Sequence, residues 1–275
     1  MREPPMPNYD YETEKLVRAY KQAVEDIFRE LDRLDITSIS RDNGIAALSE
    51  VARILSALDK ESAKWVQVNI PLAVSNGIAD AIYALGAAST IEEARSIARF
   101  NRMNKAMTNA VIADTQEDLL AVTKNVKRRV RNAVRKVTAE SMRASMAKGV
   151  NGRRTINRDI LARLRKTLGD SLNTGIIDAA GRRWKPEVYV DMVTRTKMMF
   201  AHMEGTINEA VGREVYYGRI SRHGAKDACR LWEGRIVKLT PDAPGDYPYL
   251  EDLRGRRDIF HPRCRHLVSP VRNPE

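Results

Sequence analysis

The sequence is poor in cysteine, in aromatic residues and in long apolar runs. It has 2 cysteines among 275 residues, and 6% of its residues are aromatic. Two cysteines cannot form a multi-bridge disulfide framework, so packing, partner contacts or a local metal site must stabilise the fold. No stretch approaches the ~20 consecutive apolar residues of a membrane span, and the polar first residues lack the apolar core of a signal peptide. We therefore expect a protein of a reducing compartment with no membrane partner.

The common short signatures of enzymes are also missing. The sequence contains no GxxxxGK[ST], GxGxxG, GxSxG or HExxH. These patterns mark many nucleotide-binding sites, serine hydrolases and zinc proteases. An enzyme with this sequence would need a site that none of these signatures marks, and we predict neither an enzymatic activity nor a catalytic residue.

Positive charge, by contrast, is abundant and concentrated in one segment. The formal net charge is +11, and residues 124–166 alone carry 15 basic and 2 acidic side chains, a net charge of +13. Such a segment attracts phosphates or an acidic protein surface, but it is also typical of a solvated helix face. No helix-turn-helix or zinc-finger pattern surrounds it, so any DNA binding would be independent of base sequence. The candidate binding residues are Lys124, Lys127, Arg128, Arg129, Arg131, Arg135 and Lys136.

The spacing of apolar residues predicts helices over the first two thirds of the chain. Ser89 or Thr90 is placed to cap a helix that begins at Ile91, and Pro71 marks a kink or a break. Residues 103–148 contain neither proline nor glycine, which favours one long helix ended by a turn at 149–152. The other predicted helices cover residues 11–34, 44–58, part of 61–85, 156–168 and 186–211.

The pattern changes after Gly212, where short segments rich in β-branched and aromatic residues alternate with turns. These segments, 214–220, 235–239 and 267–271, predict strands. The predicted fold class is mainly α, with an extended helical N-terminal arm of long helices and a small α+β C-terminal module. We place the arm at residues 1–169, including the basic segment 124–166, and the module at residues 170–275.

Three of the four histidines and both cysteines fall within 44 residues of the predicted module. Thiolate and imidazole are the ligands that zinc prefers, although the spacing matches no common zinc-finger pattern and lacks a Cys-x₂-Cys knuckle. Three alternatives stay open: a pair of buried cysteines that face one another without metal, a disulfide, and a catalytic histidine or cysteine, for which no orienting acid is visible in the sequence. The candidate zinc ligands are Cys229, His261, Cys264 and His266.

Several stretches of this module carry a family resemblance. They are Gly175–Trp184, which leads into Tyr189–Thr196, then Ser221–Arg235 and His261–His266. Together they resemble the C-terminal region of phage minor capsid proteins, the group that includes the Mu F-like and SPP1 head-morphogenesis proteins. The resemblance spans residues 175–271. Many members of the wider group have paired cysteines where this chain has only Cys229 after Lys226, Asp227 and Ala228.

The resemblance implies a non-enzymatic phage structural protein. It would be a minor head protein at the portal vertex inside the capsid, acting in head assembly, DNA packaging or ejection, and present in the host cytoplasm during assembly. The implied partners are the portal protein, other capsid proteins and packaged DNA, and zinc is the one candidate cofactor. A metal-dependent nuclease is the alternative, with a site of His223, His261, Cys264 and His266. A toxin-like effector domain, which some relatives carry, is not expected because the chain stops at Glu275.

Overall fold

The structure is a computed structural model that describes residues 2–33, 41–148, 162–170, 172, 176–178, 181–256 and 259–274. In these residues the helices are α1 (Asp10–Asp32), α2 (Arg41–Ala84), α3 (Ile91–Ile97), α4 (Arg102–Lys148), α5 (162–170), α6 (Pro186–Gly212) and α7 (Leu250–Arg256). The strands are β1 (Ile176–Ile177), β2 (Arg183–Trp184), β3 (Tyr217–Ile220), β4 (Ile236–Lys238) and β5 (Val268–Val271), and a short 3-10 helix covers Ala228–Leu231.

The mainly helical fold class is confirmed, as are the C-terminal strands. The long helix predicted over 103–148 is present as α4. Thr90 caps α3 as predicted, because its hydroxyl accepts a hydrogen bond from the backbone N–H of Glu93 at 3.1 Å. The predicted turn at 149–152 and the first residues of the predicted helix 156–168 lie outside the described residues.

One prediction about the helices is wrong. The segments 44–58 and 61–85 are a single helix, α2, and Pro71 lies inside it. Val66, Ile70, Val74 and Ile78 follow one another at intervals of four and are completely buried. Burial of this continuous apolar face stabilises the helix by more than the lost backbone hydrogen bond at the proline costs, which is about 3 kcal/mol.

The described helices include none that is both long enough and apolar enough to cross a membrane.

The chain forms two compact units, each built from separate segments of sequence. One unit combines Thr13–Trp65 with Gln116–Asp191. Here α1, the first part of α2 and the second part of α4 contribute buried faces and are joined by buried hydrogen bonds: Ser62 donates to the Tyr20 hydroxyl at 3.2 Å, and Tyr20 donates to the Leu119 carbonyl at 3.3 Å. This unit is therefore a helical assembly that contains the basic part of α4.

The other unit combines Met1–Glu12, Val66–Thr115 and Met192–Glu275. Its helices α2 and α6 cross at two glycines. A β-carbon on Gly77 would lie 1.9 Å from the carbonyl oxygen of His202, and one on Gly205 would lie 2.5 Å from that of Val74. The crossing therefore brings the two backbones into direct contact. The predicted division into a helical arm at residues 1–169 and an α+β module at residues 170–275 stays a prediction.

A three-stranded antiparallel sheet in the order β4-β3-β5 completes this unit. Its apolar face packs with α6 and α7 around a core that includes Ile220, Val237 and Leu253. Cys229 belongs to this core, and Trp232 and Cys264 pack against it. The sheet thus places Cys229 in an apolar core and Cys264 beside it.

A buried polar chain links the N-terminal segment to α6 in the same unit. The Tyr9 hydroxyl lies 2.8 Å from Nδ1 of His202, whose Nε2 lies 3.1 Å from a carboxylate oxygen of Asp80. Burial raises the pKa of Tyr9 above its ordinary value, so its hydroxyl is a donor at neutral pH. With Nε2–H donating to Asp80, the Nδ1 of His202 accepts the hydrogen bond from Tyr9.

Replacing Tyr9 by Phe is expected to lower the free energy of unfolding by about 1 to 3 kcal/mol, because a buried acceptor loses its donor. Tyr11→Phe is the matched control, since Tyr11 is 72% exposed, and it should change stability by less than about 0.5 kcal/mol. Urea unfolding of both variants measures the difference. Equal stability of the two variants would contradict the role assigned to the Tyr9 hydroxyl.

Candidate functional site: the cysteine and histidine cluster and the basic face

Sheet topology explains why distant residues meet at one place. Strand β3 is antiparallel to both β4 and β5, so the residues that follow β3 meet the residues that precede its two neighbours. Two hydrogen bonds fix this sheet end: the Ser221 N–H donates to the Leu267 carbonyl, and the Gly234 N–H donates to the Ile220 carbonyl, both at 2.9 Å. The segments joined in this way supply His223, Cys229, Glu233, His261, Cys264 and His266.

The structure brings the predicted zinc ligands together. The sulfurs of Cys229 and Cys264 are 4.0 Å apart, and Nε2 of His261 is 3.2 Å from the Cys229 sulfur. The donor atoms of these three residues lie within 4.8 Å of one another. The fourth predicted ligand adjoins them, because Nδ1 of His266 is 3.2 Å from the Cys264 sulfur. Both cysteines are free thiols, with Cys229 buried and Cys264 half-buried.

A second group of three residues shares His266. His223, Glu233 and His266 also place their donor atoms within 4.8 Å of one another. Nε2 of His266 lies 3.2 Å from a carboxylate oxygen of Glu233, and Nε2 of His223 lies 3.3 Å from Nδ1 of His266. The two histidine rings stack with centroids 4.1 Å apart. His266 is 3% exposed, which makes it the buried link between the two groups.

Local turns hold these side chains in place. Asp227 caps the 3-10 helix by accepting a hydrogen bond from the backbone N–H of Cys229 at 3.1 Å, which fixes the position of that cysteine. The N–H of Cys264 donates to the carbonyl of His261 at 2.9 Å, which closes a tight turn. Arg263 has a φ of 66° in this turn. A left-handed residue is uncommon outside glycine and marks a turn whose shape the surrounding contacts enforce.

Charge and burial set the protonation of the cluster. Backbone hydrogen bonds from His223 and Ala225 lower the pKa of Glu233 to about 2, so it is a carboxylate at neutral pH. Burial lowers the pKa of His266, which favours the neutral ring. Burial, with the neighbouring Cys264, raises the pKa of Cys229 to about 12. The pKa of Asp227 is lowered because hydrogen bonds from Cys229 outweigh the effect of burial.

An open cleft gives solvent access to the cluster. The cleft has a volume of about 540 Å³ and is lined by the three histidines, both cysteines and neighbouring basic residues, among them Lys226, Arg263 and Arg265. The lining combines soft metal ligands with positive charge, so it suits a metal ion or an anion better than an apolar molecule.

Sequence reasoning missed two residues of this site. No acid that could orient a histidine was visible in the sequence pattern. In the structure Glu233 contacts His266, and Asp227 lies 3.2 Å from Nε2 of His261. Asp227 stands two residues before Cys229 in a cap position, which is a local signal that could have been read. Glu233 is 33 residues from His266 in sequence, so only the sheet places them together.

The predicted basic residues lie on α4, where buried valines and exposed cations occupy different faces of the helix. Val122, Val126, Val130, Val134 and Val137 are buried. Lys124, Lys127, Arg128, Arg131 and Arg135 are exposed and recur at three- and four-residue intervals, so they share the opposite face. We call these five residues the basic face. Lys136 is exposed and Arg129 is half-buried, and their positions along the helix place both outside the basic face.

The unit that contains the basic face also fixes the orientation of α4. The Thr123 hydroxyl donates a hydrogen bond to Asp59 of α2, on the buried side of the helix. Burial raises the pKa of Asp59, while Lys124 and Lys127 act in the opposite direction. The valines and this hydrogen bond hold the buried side of α4 inward, which keeps the basic side exposed.

Comparison with known proteins identifies a family that the chain matches. The sequence profile of the family described as phage minor capsid protein 2 matches residues 9–273, nearly the whole chain. No curated protein and no solved structure matches the chain. The match includes α4 and the cysteine and histidine cluster, so both candidate sites lie within the region that the family shares.

Proposed function

Since the chain belongs to the phage minor capsid protein 2 family, we propose that it is a minor head protein at the portal vertex inside the capsid. Membership of the family gives it a structural role in the phage virion, with other capsid components as partners. The proposal adds a place and a task to this role. The protein contacts the portal and acts while the head assembles and its DNA is packaged or ejected.

The observation that carries this proposal is the basic face. Five exposed cations share one side of α4, within a segment of net charge +13. Solubility requires far less charge than this in one place. A protein that lies between a portal and packaged DNA meets phosphates, or an acidic protein surface, in a confined space. The basic face supplies the matching charge without sequence-specific contacts.

Particle incorporation tests the proposed location. A phage that lacks the gene is complemented with the wild-type protein or with the triple variant Arg128→Glu, Arg131→Glu and Arg135→Glu. We expect the variant to be incorporated at least about tenfold less, because reversed charges repel an acidic partner. The amount of protein in purified particles is measured by mass spectrometry, with chemical cross-links to the portal as the second readout.

The control reverses three exposed cations of α1, with the variant Lys15→Glu, Arg18→Glu and Lys21→Glu. Both triple variants have a net charge of +5, so only the position of the charge differs. The control should be incorporated at the wild-type level. Equal incorporation of all three proteins, or digestion of the protein by protease added to intact particles, would contradict the proposed place inside the capsid.

A metal-dependent nuclease is the second candidate function. The observation that favours it is the open cleft of about 540 Å³ lined by three histidines, because a DNA backbone could approach metal ligands there. Cleavage of duplex DNA by the purified protein in the presence of zinc, magnesium or manganese, and its loss in His261→Ala, would support this alternative. A purely structural role requires that no such cleavage occurs.

A further inference from the structure

Groups that can bind a metal ion surround His261. Its Nδ1 lies 3.0 Å from the carbonyl oxygen of Pro262, which can accept the ring proton in the tautomer whose Nε2 is free to bind a metal. The other nitrogen, Nε2, then presents a lone pair. This lone pair lies 3.2 Å from the Cys229 sulfur and 3.2 Å from a carboxylate oxygen of Asp227. A zinc ion that displaces the thiol proton of Cys229 would bind this sulfur and Nε2 of His261 together.

The environment of His266 leads to the same conclusion. The carboxylate of Glu233 accepts a hydrogen bond from Nε2–H of His266, so the lone pair of this ring is on Nδ1. Nδ1 is directed toward the Cys264 sulfur at 3.2 Å. A histidine that gives one ring proton to a carboxylate and turns its other nitrogen to a metal is the usual arrangement in metalloproteins. Glu233 is thus a positioning residue for His266.

We propose that one zinc ion binds in this cluster. Its ligands are Cys229, His261, Cys264 and His266. Two thiolates and two imidazoles are a common donor set for structural zinc, and sulfur favours zinc over magnesium or calcium. The proposal does not depend on the portal location proposed above.

The spacing of three of the donor atoms, those of Cys229, His261 and Cys264, fits a tetrahedral zinc ion. Zinc bonds of about 2.3 Å to sulfur and about 2.0 Å to nitrogen require sulfur atoms about 3.8 Å apart and sulfur to nitrogen distances of about 3.5 Å. The sulfur to sulfur distance is 4.0 Å, and the closest sulfur to nitrogen distances are 3.2 Å. Cys229, His261 and Cys264 need only small side-chain rotations to bind one zinc ion. His266 lies 3.2 Å from the Cys264 sulfur but outside this group of three, so it must move toward the other ligands to complete the tetrahedron.

The ion would join two segments that lie far apart in sequence. Cys229 is on the 3-10 helix after β3, and the other three ligands precede β5. The first of these segments is short and largely exposed, with few apolar side chains of its own. A metal bond across the sheet end would stabilise the loops in the way that zinc stabilises small modules with little core.

The purified full-length protein, prepared under reducing conditions with added zinc and then dialysed, tests this proposal. We expect one zinc ion per chain by elemental analysis. With cobalt in place of zinc, we expect the intense visible absorption of tetrahedral cobalt bound to thiolates. The variant Cys229→Ser should lose at least about 90% of the bound zinc and the cobalt absorption.

The matched variant is His223→Gln, which alters the second group of ligands but none of the four proposed. The His223→Gln variant should keep the full zinc content. Added zinc should raise the melting temperature of this variant and of the wild type, but not the melting temperature of Cys229→Ser. Circular dichroism checks that each variant is folded. If a variant does not fold, the cobalt spectrum of the wild-type protein still tests the proposal.

Three results would overturn the proposal. The first is a wild-type protein that retains no zinc after dialysis. The second is zinc that is lost in His223→Gln and kept in Cys229→Ser, which would place the ion at the group of His223, Glu233 and His266. The third is a protein that binds no metal under reducing conditions and whose mass falls by two hydrogen atoms when a mild oxidant is added, which would show that the cysteines form a disulfide instead.

Discussion

Reversing the charge of Arg128, Arg131 and Arg135 to glutamate is expected to lower the affinity for duplex DNA at least about a hundredfold at 0.1 M salt. Each of these side chains is exposed on the same side of α4. A cation that neutralises a phosphate releases a counterion, so three lost contacts should also reduce the slope of log affinity against log salt by about 2.7. Fluorescence anisotropy with labelled duplexes at several salt concentrations measures both quantities.

The structure indicates that this variant stays folded. The buried side of α4 includes five valines and Thr123, none of which the variant changes, and glutamate is nearly as good a helix former as arginine. The α1 variant Lys15→Glu, Arg18→Glu and Lys21→Glu has the same net charge and should bind DNA within about threefold of the wild type. Equal losses in the two variants would show that the total charge, and not the basic face, determines binding.

DNA affinity and incorporation into particles, measured together, distinguish the candidate partners of the basic face. If the face binds DNA, the variant loses DNA affinity, and duplexes of different sequence lose it equally. If the face binds an acidic protein surface, DNA affinity is weak in both proteins, and only incorporation into particles falls. If neither quantity changes, α4 presents a solvated charged face without a functional partner.

Replacing Gly77 by Ala is expected to lower the free energy of unfolding by about 3 kcal/mol and the melting temperature by about 5 to 10 °C. A β-carbon at this position would lie 1.9 Å from the carbonyl oxygen of His202. The obstacle is backbone, which cannot rotate away as a side chain can, so α2 and α6 must separate. Thermal unfolding followed by circular dichroism measures the loss.

The control for this substitution is Gly255→Ala. Gly255 is also helical, in α7, but nothing lies within 4 Å of the β-carbon position. Alanine there should leave stability unchanged or raise it by up to about 1 kcal/mol, because alanine is the better helix former. A Gly77→Ala protein as stable as Gly255→Ala would mean that the close helix crossing does not contribute to stability.

Local sequence patterns were sufficient for most of the helices and strands. The absence of proline and glycine from 103–148, together with valines at intervals of four, correctly predicted α4, because both features act within a few turns of the same helix. The cap of α3 was predictable for the same reason, since Thr90 and Glu93 are three residues apart. Of the kink or break expected at Pro71, the break is wrong, because burial of the apolar face of α2 outweighs the local preference of proline.

The β1–β2 pair and α7 were not predicted. Both are too short to show a periodic pattern. Within the β1–β2 turn, the carboxylate of Asp178 accepts hydrogen bonds from the backbone N–H of Arg182 and from Nε1 of Trp184, which closes the turn. Nothing in the spacing of these polar residues marks them as partners.

The sequence by itself determined the helical fold class, the concentration of positive charge in 124–166 and the presence of two cysteines and three histidines near one another in the chain. These properties depend on composition and on spacing within a helix. Only the tertiary structure decided that α2 is continuous, that α2 and α6 meet at Gly77 and Gly205, and that Glu233 and Asp227 contact the histidines. The physical reason is that antiparallel pairing and helix crossing join residues tens of positions apart, and no local pattern records which of them will meet.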